Sequence, residues 1–317
     1  MADPKSFASS QPISDLELPL HEATDAREIL TRIAKAVSRD GIADPRSEAN
    51  LICQMALGIE HRILMHHQIT ITPAIAEHIS HLVAKRNAGM PISRMRGNRE
   101  FFSLSFQLND HTLDPRADSE ILVEQALSFA NQRDWQADQP CRVVDFGTGT
   151  GCLLLSFLAN LDASIGLGLD ISDQAVAMAR QNATQLGLSQ KTQFCVSDWD
   201  SALSCDAAAI EPSYKGPFDV IFSNPPYIKV TDLDALSIEV AQHDPHRALF
   251  AGADGLDAYR QLLPLIPALL AEGGALFLEI GRGQEDDVIG LGKAAGLRCD
   301  GQYKDLGQII RCLKFMI

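Results

Sequence analysis

Asn224-Pro225-Pro226-Tyr227 closes the apolar run Phe218-Asp219-Val220-Ile221-Phe222-Ser223. Two prolines cannot extend a strand ladder, so Pro225 and Pro226 stop the run and leave backbone carbonyls without ladder partners. Such a loop is suited to gripping a flat NH₂ group. The nitrogen of a planar amide or aromatic amine is a poor nucleophile because its lone pair is delocalised. If the Asn224 side-chain oxygen and the Pro225 carbonyl accept both N–H groups, the lone pair is turned toward an electrophile such as a sulfonium methyl. The same contacts stabilise positive charge developing on nitrogen. No strong base is then needed, since the methylated nitrogen readily loses a proton, and Tyr227 can pack against the flat group. Read without their neighbours, the four residues are only a Pro-Pro terminator with an Asn turn and a buried Tyr. Their position at a strand end beside a candidate cofactor loop favours the chemical reading.

That loop is Phe146-Gly147-Thr148-Gly149-Thr150-Gly151, which turns the apolar run ending at Asp145 into a helix. Glycines let a ligand approach the backbone closely, and a helix N-terminus favours an anionic group. Dinucleotide sites want GxGxxG; the spacing GxGxG here counts against a nicotinamide or flavin. A bare turn without a ligand is the plainer alternative. Asp170 ends the next predicted strand, where a carboxylate can accept from both hydroxyls of a ribose. After a third strand, Trp199 can pack on adenine and Asp198 can accept from its amino group. Asp198 alone reads as a turn-former. The three stretches fall at successive strand ends, where ligands gather in open α/β sheets. The expected cofactor is S-adenosylmethionine, with S-adenosylhomocysteine as product.

The elements that must carry these loops are legible in the periodicity. Strands are expected near 141–145, 165–170, 192–197, 218–223, 274–280, 297–303 and 308–315, and helices near 151–160, 172–186, 256–271 and 284–295. This alternation predicts an α/β fold, a parallel sheet covered on both faces. Before it, Ile29, Leu30, Ile33, Ala34 and Val37 recur at helical spacing and stop before Gly41. Asp44-Pro45 and Thr72-Pro73 each open a further helix, closed by Gly58 and Gly89. Residues 102–108 alternate apolar and polar as a half-buried strand bridging two domains, and Asp118 caps a helix over 121–129. The expected division is a loose tail over 1–20, a small all-helical domain over 21–89, a linker hairpin over 90–113 and the α/β domain over 114–317.

The chain has 317 residues, 46% of them hydrophobic, with no run long enough to span a bilayer and no apolar signal core in Met-Ala-Asp-Pro-Lys; a cytoplasmic, non-membrane protein is expected. Seven scattered cysteines without a CxxC pair fit reduced thiols. A formal charge of −14 argues against nucleic acid as partner. Arg94, Arg96 and Arg99 read as a solvated loop rather than a docking patch. His66-His67 and His78-x-x-His81 lack the acidic or Cys companions of a metal site, so no metal is expected; His243 and His246 flank a proline turn and read as structural.

From about Pro91 onward, and more loosely before it, the chain resembles the bacterial release factor glutamine methyltransferase (HemK) family. The resemblance is carried by the cofactor loop, by Asn224 to Tyr227, by Arg99-Glu100-Phe101-Phe102-Ser103-Leu104 and by Thr112-Leu113-Asp114-Pro115-Arg116-Ala117-Asp118-Ser119-Glu120. Asp244-Pro245, Ala248-Leu249 and Gly252-Ala253-Asp254-Gly255-Leu256 extend it. Asp114 stands where the family usually has an aliphatic residue and Ala117 where it has proline; the stretch after Asp305-Leu306-Gly307 lacks the usual arginine-glycine pattern.

The resemblance implies a class I S-adenosylmethionine-dependent methyltransferase with a Rossmann-like seven-stranded sheet and an N-terminal helical bundle that grips the substrate. The implied substrate is the glutamine of the Gly-Gly-Gln motif of peptide chain release factors 1 and 2, and a monomer is expected. Gly147, Thr148, Gly149, Thr150, Gly151, Asp170, Asp198, Trp199 and Asn224 would contact the cofactor. Asn224, Pro225, Pro226 and Tyr227 would hold the glutamine amide, with Asn224, Pro225 and Tyr227 as the catalytic set. Phe101 and Phe102 have two readings, walls of the glutamine pocket or anchors of the linker strand. Arg116 also has two, a partner for the cofactor carboxylate or a surface ion pair. Rival functions are a glutamine methyltransferase of a large-subunit ribosomal protein, an exocyclic-amine methyltransferase of nucleic acid, and a binding protein that kept the fold.

Overall fold

The computed structural model describes residues 25–37, 42, 44–204 and 210–317. The expected tail over 1–20 and the helix stop at Gly41 lie outside them. The chain divides into two compact units, one comprising residues up to Arg96 with Ser237–Glu239, the other Gly97–Leu236 with Val240–Ile317.

In the first unit Asp44 and Thr72 cap helices as the sequence predicts, and Asp25 adds a cap that the sequence reading did not name. Asp25 accepts from the Arg27 N–H ahead of helix Ala26–Ala36, and Asp44 from the N–H groups of Arg46 and Ser47 ahead of Pro45–Leu57. Thr72 does the same for the Ile75 N–H ahead of Pro73–Asn87. Gly58 ends the second helix in the left-handed region at φ 66°, where a side chain would be strained. The third ends on Ala88 in ordinary helical geometry, with Gly89 one residue beyond. Ile29, Leu30, Ile33, Ala34 and Val37 are all buried. Arg86, itself buried, is clamped by both carboxylate oxygens of Glu48 at 2.6 and 2.8 Å.

The second unit opens, inside the stretch 90–113 read as a linker hairpin, with the hairpin β1 (Asn98–Phe101) and β2 (Leu104–Gln107); the strand expected over 102–108 begins only at Leu104, because residues 102 and 103 are its turn. Phe102 and Ser103 form its two-residue turn with φ 50° and 62°, the left-handed pair that makes a hairpin twist correctly but normally selects Asn-Gly. Carboxylates hold this turn in place: Phe102 N–H donates to Glu120 Oε1 at 2.9 Å, and Ser103 N–H to Glu100 Oε1 at 2.7 Å. Asp118 does not cap the following helix, Glu120–Ala130; it lies in a short 3₁₀ turn, 3.5 Å from Arg311. Arg94 and Arg96 are on a short helix, Ile92–Arg96, and Arg99 is on β1, so the three arginines do not form a loop.

The remaining strands are β3 (Cys141–Phe146), β4 (Ser164–Asp170), β5 (Thr192–Val196), β6 (Phe218–Ser223), β7 (Leu270–Glu279), β8 (Arg298–Lys304) and β9 (Ile310–Met316). They form one sheet in the order β5-β4-β3-β6-β7-β9-β8, parallel except for β9, which runs against both neighbours. Along β6 and β7, Val220, Phe222, Ala275 and Phe277 face one core, while Ile221, Leu276 and Leu278 face another. Burial on both sides explains why these strands read as unbroken apolar runs. The helix expected over 256–271 is broken: Pro264 and Pro267 remove N–H donors, and the chain runs as Asp257–Leu262, a 3₁₀ turn, then Ile266–Leu269 before entering β7.

Gly168 in β4 marks a close approach. A Cβ there would stand 2.4 Å from Phe194 Cδ1 and 3.0 Å from Thr148 Oγ1. Gly168→Ala is therefore expected to destabilise the unit by about 1–3 kcal/mol through overpacking. Urea unfolding followed by the fluorescence of Trp135 and Trp199, the two tryptophans of the chain, both in this unit, measures it.

Candidate active site

The carboxyl ends of β3, β4, β5 and β6 open onto one cavity of about 670 Å³, within the range of about 300–1,000 Å³ typical of small-molecule sites. Gly147, Thr148, Gly149, Thr150, Asp170, Asp198, Trp199, Asn224, Pro225 and Pro226 all line it. Four segments far apart in sequence are thus brought to one wall, because parallel strands deliver successive loops to the same edge.

The glycine loop is tied down from below. Leu169 O accepts from the N–H groups of both Gly147 and Thr148 at 2.9 Å, and Thr148 Oγ1 donates to Asp145 Oδ2 at 2.7 Å. Gly147 and Gly149 have φ 73° and 55°, and a Cβ on Gly147 would meet nothing within 4 Å, so the space above the loop is open. Gly151 does not line the cavity. It starts helix Cys152–Asn160 at φ 81°, and a Cβ on it would press on Leu155 and Ala179, so its task is the turn itself.

Asp170 ends β4 with each oxygen accepting one backbone N–H at 2.9 Å, from Gly149 and from Ser172. A carboxylate has further lone pairs on both oxygens, so a diol can still be received. Burial raises its pKa, opposed by those two N–H groups and by the charge of Arg247. Beneath it Asp145, buried, is pushed up to about 7 by burial, against the Thr148 hydrogen bond. Trp199 stands at φ 50°, and its indole N–H donates to Gln261 Oε1 at 2.7 Å across the cavity rim. Positive-φ backbone at a non-glycine residue is a strained conformation that persists where surroundings impose it.

Asn224 continues from β6. Its amide nitrogen donates to Ser119 Oγ at 3.3 Å, which leaves the amide oxygen as the acceptor for a ligand. Tyr227 does not line the cavity: its ring packs into the core and its hydroxyl donates to Glu279 Oε1 at 3.3 Å. The expected stacking of Tyr227 on a flat substrate group is thereby corrected to anchoring of the loop. Gln284 completes the anchor, its Nε2 donating to Tyr227 O at 3.1 Å while its Oε1 accepts from Gly281 N–H at 2.9 Å. Gly255, φ 78°, is obligatory here, since a Cβ would lie 2.4 Å from Tyr227 O.

Phe101 is likewise absent from the cavity wall. It is fully buried and meets Phe106 edge-on at 6.2 Å between ring centres, because its place in β1 faces the core. Phe102 packs on the same core from the turn, so of the two readings the structure supports anchoring for both. Arg116 lines the cavity and is ion-paired with Asp244, a buried partner rather than a surface one. Asp114, buried, lies 3.9 Å from Arg99. Sequence reasoning passed over Ser119, Gln261, Glu279 and Gln284, since single polar residues in helices, turns or strands carry no local pattern. Among the described residues no group of His, Cys, Asp or Glu is placed to hold a metal, and no helix is long and apolar enough to cross a membrane.

A seven-stranded sheet in this order, with a glycine-rich turn after its first strand and the cavity at its carboxyl edge, defines a class I methyltransferase. Residues 137–278 match the family model of a methyltransferase domain, and residues 28–97 that of the PrmC N-terminal domain. The release factor glutamine methyltransferase of Rhodospirillum rubrum is 41% identical over 288 residues, covering 90% of this chain and 83% of that protein. Its namesake in Bradyrhizobium diazoefficiens is 41% identical over 268 residues, 84% of this chain and 86% of that one. The namesake in Cereibacter sphaeroides is 37% identical over 277 residues, 87% and 91% respectively. The chain belongs to the release factor glutamine methyltransferase family.

Proposed function

We propose that this enzyme transfers a methyl group from S-adenosylmethionine to the side-chain amide nitrogen of the glutamine in the Gly-Gly-Gln motif of peptide chain release factors 1 and 2. The observation that carries the reading is the Asn224 amide, whose nitrogen is engaged by Ser119 on the wall that also bears the glycine loop and Asp170. The family and the names of its members supply the substrate.

The residues present fit the cofactor: an open glycine turn, a carboxylate with lone pairs to spare, and an indole on the rim. Asp170 would hold the ribose hydroxyls, Gly147, Thr148, Gly149 and Thr150 the space beside it, and Asp198 and Trp199 the adenine. When bound, the cofactor supplies an electrophilic methyl on sulfonium. Asn224 Oδ1 and the Pro225 carbonyl accept the two N–H groups of the glutamine amide, fixing the nitrogen and its lone pair. The same acceptors stabilise the charge that grows on nitrogen as the bond forms. Pro226 limits the loop's backbone freedom, and Tyr227, held by Glu279 and Gln284, fixes its far end.

The test is to incubate the protein with labelled cofactor and, in separate tubes, purified release factor, large-subunit ribosomal proteins, DNA and RNA. Label on the Gly-Gly-Gln glutamine is the expected result. Label on nucleic acid or ribosomal protein, with none on the release factor, overturns the proposal.

A further inference from the structure

We propose that Gln261 is a positioning residue for the cofactor site: by accepting the indole N–H of Trp199 it holds that ring in one orientation, as a fixed flat wall for adenine. Adenine as the ligand rests on the proposed function, while the contact itself belongs to the protein alone.

The two residues come from distant segments. Trp199 follows β5, Gln261 lies in helix Asp257–Leu262, and both line the cavity at the carboxyl edge of the sheet. Trp199 Nε1 donates to Gln261 Oε1 at 2.7 Å, a distance at the short end for an N–H donor. An indole N–H can only donate, so the glutamine must turn its oxygen toward it. The Gln261 side chain has no other hydrogen bond among the described residues, and the residue is exposed. Its helix is seated by Ala258, Tyr259 and Leu262, which are buried, so the fold does not need this glutamine for packing.

Trp199 is where such a partner matters. Its backbone, at φ 50°, is held from within its own turn: the buried Ser197 Oγ donates to Trp199 O at 2.6 Å and accepts the Ala202 N–H at 3.0 Å, while Asp198 N–H donates to Ser201 Oγ at 3.0 Å. None of these bonds reaches the ring. The torsion between Cβ and an indole is broad and roughly two-fold, so a pinned backbone alone lets the ring turn over. A bond at Nε1, on one edge of the ring, removes that choice. Gln261 thus completes at the ring what Ser197 begins at the backbone.

A ring that is already oriented spares the complex the cost of ordering it. Immobilising one such side chain on binding forfeits about 3- to 10-fold in affinity, and that is the gain expected from Gln261. The effect should fall on the hold on the cofactor, since Asn224 stands at the end of β6 with its own partner, Ser119.

Two measurements on the full-length protein test this, and neither uses methyl transfer. In ¹⁵N-labelled protein the indole N–H signal of Trp199 is told from that of Trp135, the other tryptophan, by its loss in Trp199→Phe. Its exchange with solvent should be slow in the wild type, faster in Gln261→Leu, and slow again in Gln261→Glu, which keeps an acceptor oxygen. Equal exchange in wild type and Gln261→Leu overturns the inference. Calorimetric titration with S-adenosylhomocysteine gives the second reading. Gln261→Leu should weaken binding about 3- to 10-fold, and Gln261→Glu should recover most of it. Trp199→Phe keeps a flat face but has no N–H, so adding Gln261→Leu to it should change affinity by less than about twofold. Unchanged affinity in Gln261→Leu, or losses that add in the double variant, would take the positioning role from Gln261. A protein that shows this pattern yet labels no release factor supports the inference and counts against the proposed substrate alone; one that binds no S-adenosylhomocysteine overturns both.

Discussion

Asn224→Ala is expected to lower kcat on the order of 100- to 1,000-fold while leaving cofactor affinity within a few-fold. The asymmetry follows from where the side chain stands. Asp170, the glycine loop and Trp199 surround the same cavity and do not depend on Asn224 for their geometry, since Asp170 is fixed by Gly149 and Ser172, and Trp199 by Gln261. On the proposed function Asn224 would instead offer an oxygen whose worth rises as charge develops on the attacked nitrogen, so its loss would fall on the transition state more than on the ground state. Single-turnover transfer to release factor, paired with calorimetric cofactor titration, separates the two. A matching loss of affinity and rate would move Asn224 to a purely cofactor-binding role.

The second large effect concerns stability. Asp145 and Glu279 are both buried, and burial raises each carboxyl to about 7 in the folded protein. In the unfolded chain they return to about 4. Between those values the folded state holds more protons, so stability falls as pH rises. The contribution is full below the unfolded pKa and is lost as pH passes through 7. From pH 5 to pH 8 each group should cost about 2–3 kcal/mol, on the order of 5 kcal/mol for the pair. Asp254, held down to about 2 by Arg260, titrates far below this window. Urea unfolding of the cofactor-free protein at the two pH values, followed by tryptophan fluorescence, measures the slope. Asp145→Asn and Glu279→Gln should each flatten it by one share; an unchanged slope in both would refute the linkage.

The parts of the fold that could be read from sequence were those with a local cause. Strand runs such as 218–223 are buried on both faces and therefore uniformly apolar, and Asp44 and Thr72 announce helix starts by their place before proline. The loop from Gly147 and the break at Pro225 are equally local, which is why the cavity's main wall was legible. What escaped was decided at a distance. Phe102-Ser103 satisfies strand alternation, and only Glu100 and Glu120 hold it as a turn. The prolines at 264 and 267 were outweighed by the apolar run around them. Phe101 and Tyr227 are aromatic residues beside the site in sequence but in the core in space. Ser119 and Glu279 acquire meaning only when the fold brings them to Asn224 and Tyr227.

The dependence of Tyr227 on Glu279 and Gln284 also bears on how the enzyme comes into being on the ribosome. Chains emerge N-terminus first, and β7 must insert between β6 and β9 before the loop after β6 has its supports. A nascent chain that has exposed the glycine loop, Asp170 and Asn224 thus carries the motifs without yet carrying the site. Competence arrives late, with the supports that β7 and Gln284 bring to the loop.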